Sequence, residues 1–287
     1  MIGDGENSDN QRRHLHVEQH TTVGFFTDPT LCIGCKACEV ACKEHNQLPD
    51  DGYVFSGHSY DNTGQLGAST WRHVKFLEMS ARLGSQVAGT MTGNGEDPFG
   101  WLFLSDVCKH CENSGCLESC PTGAIVRTEV GSVLVQDDVC NGCGYCVVSC
   151  PFGVVERRTG PVAGSGGAHK CTFCYDRQLS GLTPACAKTC PTESISFGPL
   201  DELRTRAKER VQTLSERGFE DVRVYDAANT SVGGTHALFL TLGPPEQLGL
   251  PPHPDVPTVH LAKAWTAAIF TALGALLLSA LAFMLTS

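Results

Sequence analysis

Sixteen cysteines, arranged as four groups of four, constrain this 287-residue chain more than any other feature. The groups are Cys32, Cys35, Cys38, Cys42; Cys108, Cys111, Cys116, Cys120; Cys140, Cys143, Cys146, Cys150; and Cys171, Cys174, Cys186, Cys190. No cysteine stands outside them. An even count also fits a disulfide framework. Bridges, however, join partners from well-separated parts of a chain, whereas cysteines two or three residues apart are built to converge on something small.

The spacing narrows what that something is. Groups one and three read C-x2-C-x2-C-x3-C, and groups two, three and four close on Cys-Pro. Thiolates at i, i+3 and i+6 let one loop wrap a cubane and reach three of its four irons, the spacing of bacterial [4Fe–4S] sites. Gly34, Ala37, Gly142 and Gly144 leave room for backbone N–H groups to approach the sulfides. Zinc also takes four cysteines, normally as two C-x2-C pairs. Group four comes nearest to that pattern, yet zinc accounts neither for three cysteines at three-residue steps nor for the repeated Cys-Pro. The C-x3-C-x2-C triad of radical chemistry is absent from the sequence.

A fourth cysteine in such a run points away from the cubane held by the first three and ligates the other cluster of a pair. Between groups two and three, "PTGAIVRTEVGSVLVQDDV" carries two short apolar β-branched runs around Gly131, a hairpin pattern. These two groups therefore pair, and groups one and four are left to each other. The expected ligand sets are Cys108, Cys111, Cys116 with Cys150; Cys140, Cys143, Cys146 with Cys120; Cys32, Cys35, Cys38 with Cys190; and Cys171, Cys174, Cys186 with Cys42. The repeats "CPTGAI", "CPFGVV" and "CPTESI" point to a reused supersecondary unit. The expected fold is α+β: two pseudo-symmetric two-cluster ferredoxin-like modules, the inner nested in the outer, plus one C-terminal transmembrane helix.

The parts follow in order. Residues 1–22 are a polar arm, in which Arg12-Arg13 precedes no apolar stretch and so makes no signal peptide. The outer module begins over 23–107, with an extended "WRHVKFLEM" at 71–79 and a Gly-rich loop at 89–100. The inner module spans 108–160 and the outer resumes over 161–242. There Leu200, Leu203, Ala207, Val211 and Leu214 recur at helical spacing between Pro199 and Gly218. "DVRVYD" and "HALFLTL" read as strands. The Pro-rich 243–260 reads as a semi-rigid linker without regular structure, and 261–287 as an anchor. Its uncharged run from Ala264 to Leu285 is 22 residues, at ~1.5 Å each enough for a bilayer core. Trp265 stands at its entry, where an interfacial aromatic is favoured.

The formal charge is -10, with no block of like charge, which argues against a nucleic-acid partner. Lys36, Lys43, Lys109, Arg157, Arg158, Lys170 and Lys188 lie near the cysteines and read as ordinary solvated side chains. His45 and His110 read as surface or structural, because the cysteines already complete every site. No nucleophile elbow, phosphate loop or catalytic pair is visible.

The stretches "LCIGCKACEVACKEHNQLP", "SYDNTGQLGASTWRHVKF", "SDVCKHCENSGCLESCPTGAI", "QDDVCNGCGYCVVSCPFGV" and "KCTFCYDRQLSGLTPACAKTCPTESI" resemble the four-cluster iron–sulfur subunits of molybdopterin oxidoreductases. Within them the resemblance is to the β subunit of respiratory formate dehydrogenase. It covers about residues 23–260. The resemblance implies four [4Fe–4S] clusters, a catalytic molybdenum- or tungsten-pterin partner, and a membrane cytochrome b-type partner that passes electrons to quinone. The chain itself would carry no active site. Nitrate-reductase-type relatives replace one ligand cysteine with tryptophan, and this chain keeps all sixteen. The alternatives are the same relay in a hydrogenase, dimethyl sulfoxide or polysulfide reductase complex, and a zinc-stabilised tethered module. Lys263 beside the helix would put the globular part in the cytoplasm by the positive-inside tendency. The resemblance instead implies export with the catalytic partner, and the outer, periplasmic face is the expectation.

Overall fold

The computed structural model describes residues 21–52, 57, 61–79 and 100–286. The expected N-terminal arm, apart from its last two residues, and the Gly-rich loop, apart from Gly100, lie outside that set.

The elements run as strand β1 (Val23–Thr27), helix α1 (Ala37–His45), β2 (Arg72–Met79), β3 (Gly100–Val107), α2 (Gly115–Glu118), β4 (Ile125–Arg127), β5 (Val133–Val135) and α3 (Tyr145–Val148). There follow β6 (Glu156–Arg157), β7 (Ala168–His169), α4 (Tyr175–Leu179), α5 (Ala185–Lys188), β8 (Ile195–Pro199), α6 (Leu200–Glu216), β9 (Val222–Tyr225), β10 (Ala237–Leu242) and α7 (Leu261–Thr286).

The main sheet has the order β8-β1-β10-β9. Its first strand lies between two elements from the far end of the chain: β1 is antiparallel to β8 (Phe25↔Phe197) and parallel to β10 (Phe26↔Leu238). This closes the outer module around the inner one. All six residues of β10 are buried, as expected of a strand covered on both faces. Helix α6 packs on the sheet through Leu200, Leu203, Ala207 and Leu214, with Val211 only partly buried. Asp201 and Glu202 suit the positive end of its dipole. The helix stops where Gly218 adopts φ 89°, with Gly218 N–H donating to Ser215 O and Phe219 N–H to Leu214 O. That double bond satisfies carbonyls a helix end would otherwise leave open.

The inner hairpin forms as the sequence suggests, β4 pairing with β5 (Ile125↔Val135) and Gly131 in the turn. Short helices pack pairwise in each module, α2 against α3 and α1 against α5. At the first of these contacts Gly115 is tightly placed: a Cβ there would lie 2.5 Å from Ser149 O.

The Pro-rich segment departs from the expectation of an irregular linker. It forms two 3-10 turns, Pro245–Leu248 and Pro257–His260, with a proline in the first turn of each, where the missing N–H costs nothing. Leu248 at the end of the first turn, and Leu250 and Val256 between the two, are buried. Tyr225 Oη donates to Pro251 O (2.6 Å), and Val256 N–H donates to Ser231 Oγ (2.7 Å). Prolines suppress periodicity, so apolar residues spaced among them gave no pattern to read. Beyond this segment α7 is exposed along its length, long and apolar enough to cross a membrane.

Candidate iron–sulfur centres

The four cysteine groups open in the same way. The residue just before the second cysteine has left-handed backbone in all four: Gly34 (φ 68°), His110 (φ 45°), Gly142 (φ 71°) and Phe173 (φ 62°). That conformation tightens the turn and aims N–H groups inward. Phe173 N–H donates to Cys171 Sγ at 3.3 Å. The third cysteine then sits on a short helix: Cys38 on α1, Cys116 on α2, Cys146 on α3, Cys186 on α5.

In groups two, three and four the fourth cysteine follows the end of that helix. Cys120, Cys150 and Cys190 donate backbone N–H groups to Leu117, Val147 and Ala187 carbonyls, and a proline follows each. Having no N–H, proline stops the ladder there. Gly123, Gly153 and Glu193 then bond back to the three cysteine carbonyls. In two repeats the turn feeds donors to the sulfur at matching steps: Thr122, Ala124 and Ile125 to Cys120, and Phe152, Val154 and Val155 to Cys150. Group one differs. Lys43 stands where proline would, and α1 runs on to His45 with Asn46 N–H reaching Cys42 O.

The tertiary fold gathers sulfurs from different groups. Cys32, Cys35, Cys38 and Cys190 line one cavity. Burial, then Cys171, Cys186 and Cys174, push the Cys42 thiol far up. Burial, then Cys108, Cys150 and Cys116, do the same to Cys111. Burial, then Cys140, Cys143 and Cys120, bring Cys146 to about 11. In every set three sulfurs come from one group and the fourth from its partner group.

These sulfurs repel one another as thiolates, and burial penalises each charge. Bound iron removes that conflict, since the thiolate is the metal-ligating form. Among the described residues no three His, Cys, Asp or Glu side chains converge closely enough to hold a single metal ion. Four spread sulfurs with N–H donors beside them suit a larger cluster rather than one zinc.

Neighbouring sets lie within electrostatic reach of each other: Cys146 raises Cys116, Cys108 raises Cys171, and Cys186 raises Cys38. These contacts link the Cys140, Cys108, Cys171 and Cys32 sets in that succession, a row joined by neighbours. Cys143 and Cys35, one in each end set, are exposed.

Several cations differ from the sequence expectation. Lys188 and Arg157 are exposed, and Lys36 and Lys43 are half-buried with Asp61 (2.9 Å) and Asp51. Lys109, Arg158 and Lys170, by contrast, are buried. Lys109 bonds Asp106 and Val107 O; Lys170 bonds the Val133 and Cys171 carbonyls. Lys109 lies over the Phe152 and Phe239 rings, Lys170 lies among cysteines of the Cys108 and Cys171 sets, and both heads find carbonyls or a carboxylate. His45 pairs with Asp176 (3.0 Å). His110 is structural, its Nδ1 accepting the Val133 N–H at 3.0 Å. Sequence reading missed Arg72, which is buried with Nη2 3.3 Å from Cys186 Sγ. Its signal was a cation in phase with Val74 on the inward face of "RHVKF".

Comparison with known proteins agrees with this geometry. Two family models described as 4Fe–4S dicluster domains match residues 31–124 and 99–200. Fold and sites together define a ferredoxin-type 4Fe–4S protein of the dicluster kind. The chain is 40% identical over 238 residues to the formate dehydrogenase-O iron–sulfur subunit of Escherichia coli, covering 82% of this chain and 72% of that one. It is 38% identical to the formate dehydrogenase iron–sulfur subunit of Haemophilus influenzae, covering 82% and 70%. It is 34% identical to a component of the anaerobic dimethyl sulfoxide reductase of Escherichia coli, covering 65% and 78%. The chain belongs to the family of formate dehydrogenase iron–sulfur subunits. Electron transfer is the function this family membership carries.

Proposed function

We propose that the chain relays electrons through four [4Fe–4S] clusters, from a molybdenum- or tungsten-pterin formate dehydrogenase subunit to a membrane cytochrome b and quinone. The ligand sets are Cys108, Cys111, Cys116, Cys150; Cys140, Cys143, Cys146, Cys120; Cys32, Cys35, Cys38, Cys190; and Cys171, Cys174, Cys186, Cys42. The observation that carries this reading is the exchange of fourth cysteines: Cys190 shares a cavity with Cys32, while Cys42 lies among Cys171, Cys174 and Cys186. Helix α7 anchors the relay in the bilayer through 264–285, with the globular part on the outer face. The chain has no catalytic group of its own and leaves formate chemistry to its partner.

A bound [4Fe–4S] cluster supplies a one-electron couple. The protein's part is to hold and insulate it. Left-handed turns fix the sulfurs, N–H groups stabilise their charge, and buried Phe25, Phe173 and Val74 keep water from the interior. The exposed end cysteines, Cys35 and Cys143, bring the two ends of the row to the surface, where electrons enter and leave.

The test uses the purified complex. It should contain at least about sixteen acid-labile sulfides per chain, with no fewer irons, and formate should reduce the clusters. Zinc in place of iron, or clusters inert to formate, overturns the reading. The similarity to a dimethyl sulfoxide reductase component favours one second reading, the same relay run toward that acceptor. Its mark is reoxidation of dithionite-reduced clusters by dimethyl sulfoxide.

A further inference from the structure

Arg72 is 1% exposed, yet among the described residues no carboxylate pairs with it. Its partners are the Ser105 carbonyl (3.3 Å) and Oγ (3.4 Å), Cys186 Sγ (3.3 Å) and the face of the Phe25 ring, 4.7 Å from its Cζ. Nε has no partner among the described residues. A guanidinium cannot escape its charge by losing a proton, and an uncompensated buried charge costs several kcal/mol. Counter-charge must therefore come from elsewhere.

The surroundings supply it. Cys186 belongs to one sulfur set and Cys38 to the next. Ser105 joins them, since its Oγ lies 3.4 Å from Cys38 Sγ and also accepts from Arg72. Cys186 belongs to the Cys171 set and Cys38 to the Cys32 set, so Arg72 touches the first directly through Nη2 and reaches the second through Ser105 Oγ.

We infer that Arg72 is a built-in counter-ion shared by the two outer-module clusters, and that it sets their reduction potentials. The inference rests on the four-cluster relay reading. Each cluster gains one negative charge on reduction, and a fixed positive charge between two of them stabilises the reduced form of both. Hydrogen bonds to sulfur, local charge and burial are the levers that tune such potentials, and Arg72 applies all three. Its strand position explains the delivery. β2 pairs with β3 at Arg72↔Val107, so the segment between the first two cysteine groups carries a cation into the gap between clusters. Arg72 acts as a positioning residue for electron transfer and carries no electron itself.

The test is an EPR-monitored redox titration of the purified complex with Arg72→Gln and Arg72→Lys. In Arg72→Gln two of the four midpoints should fall, each by at least tenfold in its one-electron equilibrium, about 59 mV. The other two should stay in place. Arg72→Lys keeps the charge and should retain all four midpoints. Four unmoved midpoints in Arg72→Gln overturn the inference. If Arg72→Gln does not assemble, Arg72→Lys decides: unchanged midpoints support the shared counter-ion, and lowered ones overturn it in favour of a packing role. A wild-type complex without [4Fe–4S] signals instead overturns the relay reading itself.

Discussion

The rings of His110 and Phe173 meet with centroids 4.2 Å apart, and each holds the same place in its own Cys-x-x-Cys turn. Gly34 and Gly142 hold that place in the other two groups. Where two modules abut, the chain puts large side chains on left-handed backbone, at roughly 1–2 kcal/mol of strain each. Phe173, fully buried and edge-on to Phe25 at 4.7 Å, returns more than this through burial. The seam between inner and outer modules is therefore packed shut where the Cys108 and Cys171 sets approach.

Phe173→Ala should open that seam. The strained backbone stays while the ring is lost, and truncating a buried phenylalanine costs about 3–5 kcal/mol. A lowered denaturation midpoint of the cluster-loaded protein, with all sixteen cysteines intact, is the readout.

Gly142→Ala should fail where Gly123→Ala survives. Both glycines have positive φ, 71° and 69°. A Cβ at Gly142 would collide with the Gly166 carbonyl, whereas nothing lies within 4 Å of one at Gly123. Gly123→Ala should cost about 1–2 kcal/mol. Gly142→Ala should also displace the Cys140–Cys143 turn, lowering iron content by about a quarter.

Cys42→Ser tests the exchange of fourth cysteines. It should damage the cluster of Cys171, Cys174 and Cys186 and spare that of Cys32, Cys35 and Cys38. EPR of the reduced complex separates the outcomes, and loss of the Cys32 cluster instead would refute the pairing.

Asp106→Asn should destabilise the fold by about 3–5 kcal/mol, because Lys109 would keep a buried charge without its anion. Burial alone would raise the Asp106 carboxyl; Lys109 and Lys75 outweigh it and hold the group well below the usual carboxylate range. The sign follows from that depression. Stability from this pair is fully present above the unfolded value of about 3.9 and is lost as pH falls through the lower folded value. Asp106→Asn should therefore flatten the acid limb of the stability profile, measured by urea titration at stepped pH.

Much of this was legible in the cysteines and their punctuation. Cys-Pro marked the end of three short helices, and Lys43 after Cys42 marked the exception. Helix α6 was readable because its apolar residues keep one period, and Pro199 and Gly218 bracket it. The buried cations were not. Lys109 and Lys170 sit beside cysteines as any solvated lysine might, and only the packing of two modules decides that they are enclosed. The docking of 243–256 was likewise hidden, since Leu248, Leu250 and Val256 are buried by residues distant in sequence.

The position of β1 between β8 and β10 has a consequence for how the molecule is made. At about 5–20 residues per second, roughly 10–40 s separate synthesis of β1 from that of β10. For most of that interval the Cys32 group has emerged without the Cys190 that will face it and without β8, and β10 arrives only at its end. The inner repeats, by contrast, carry all eight of their cysteines between residues 108 and 150. Iron–sulfur delivery can thus proceed from the inside outward, so that the cysteines first to leave the ribosome are among the last to be enclosed.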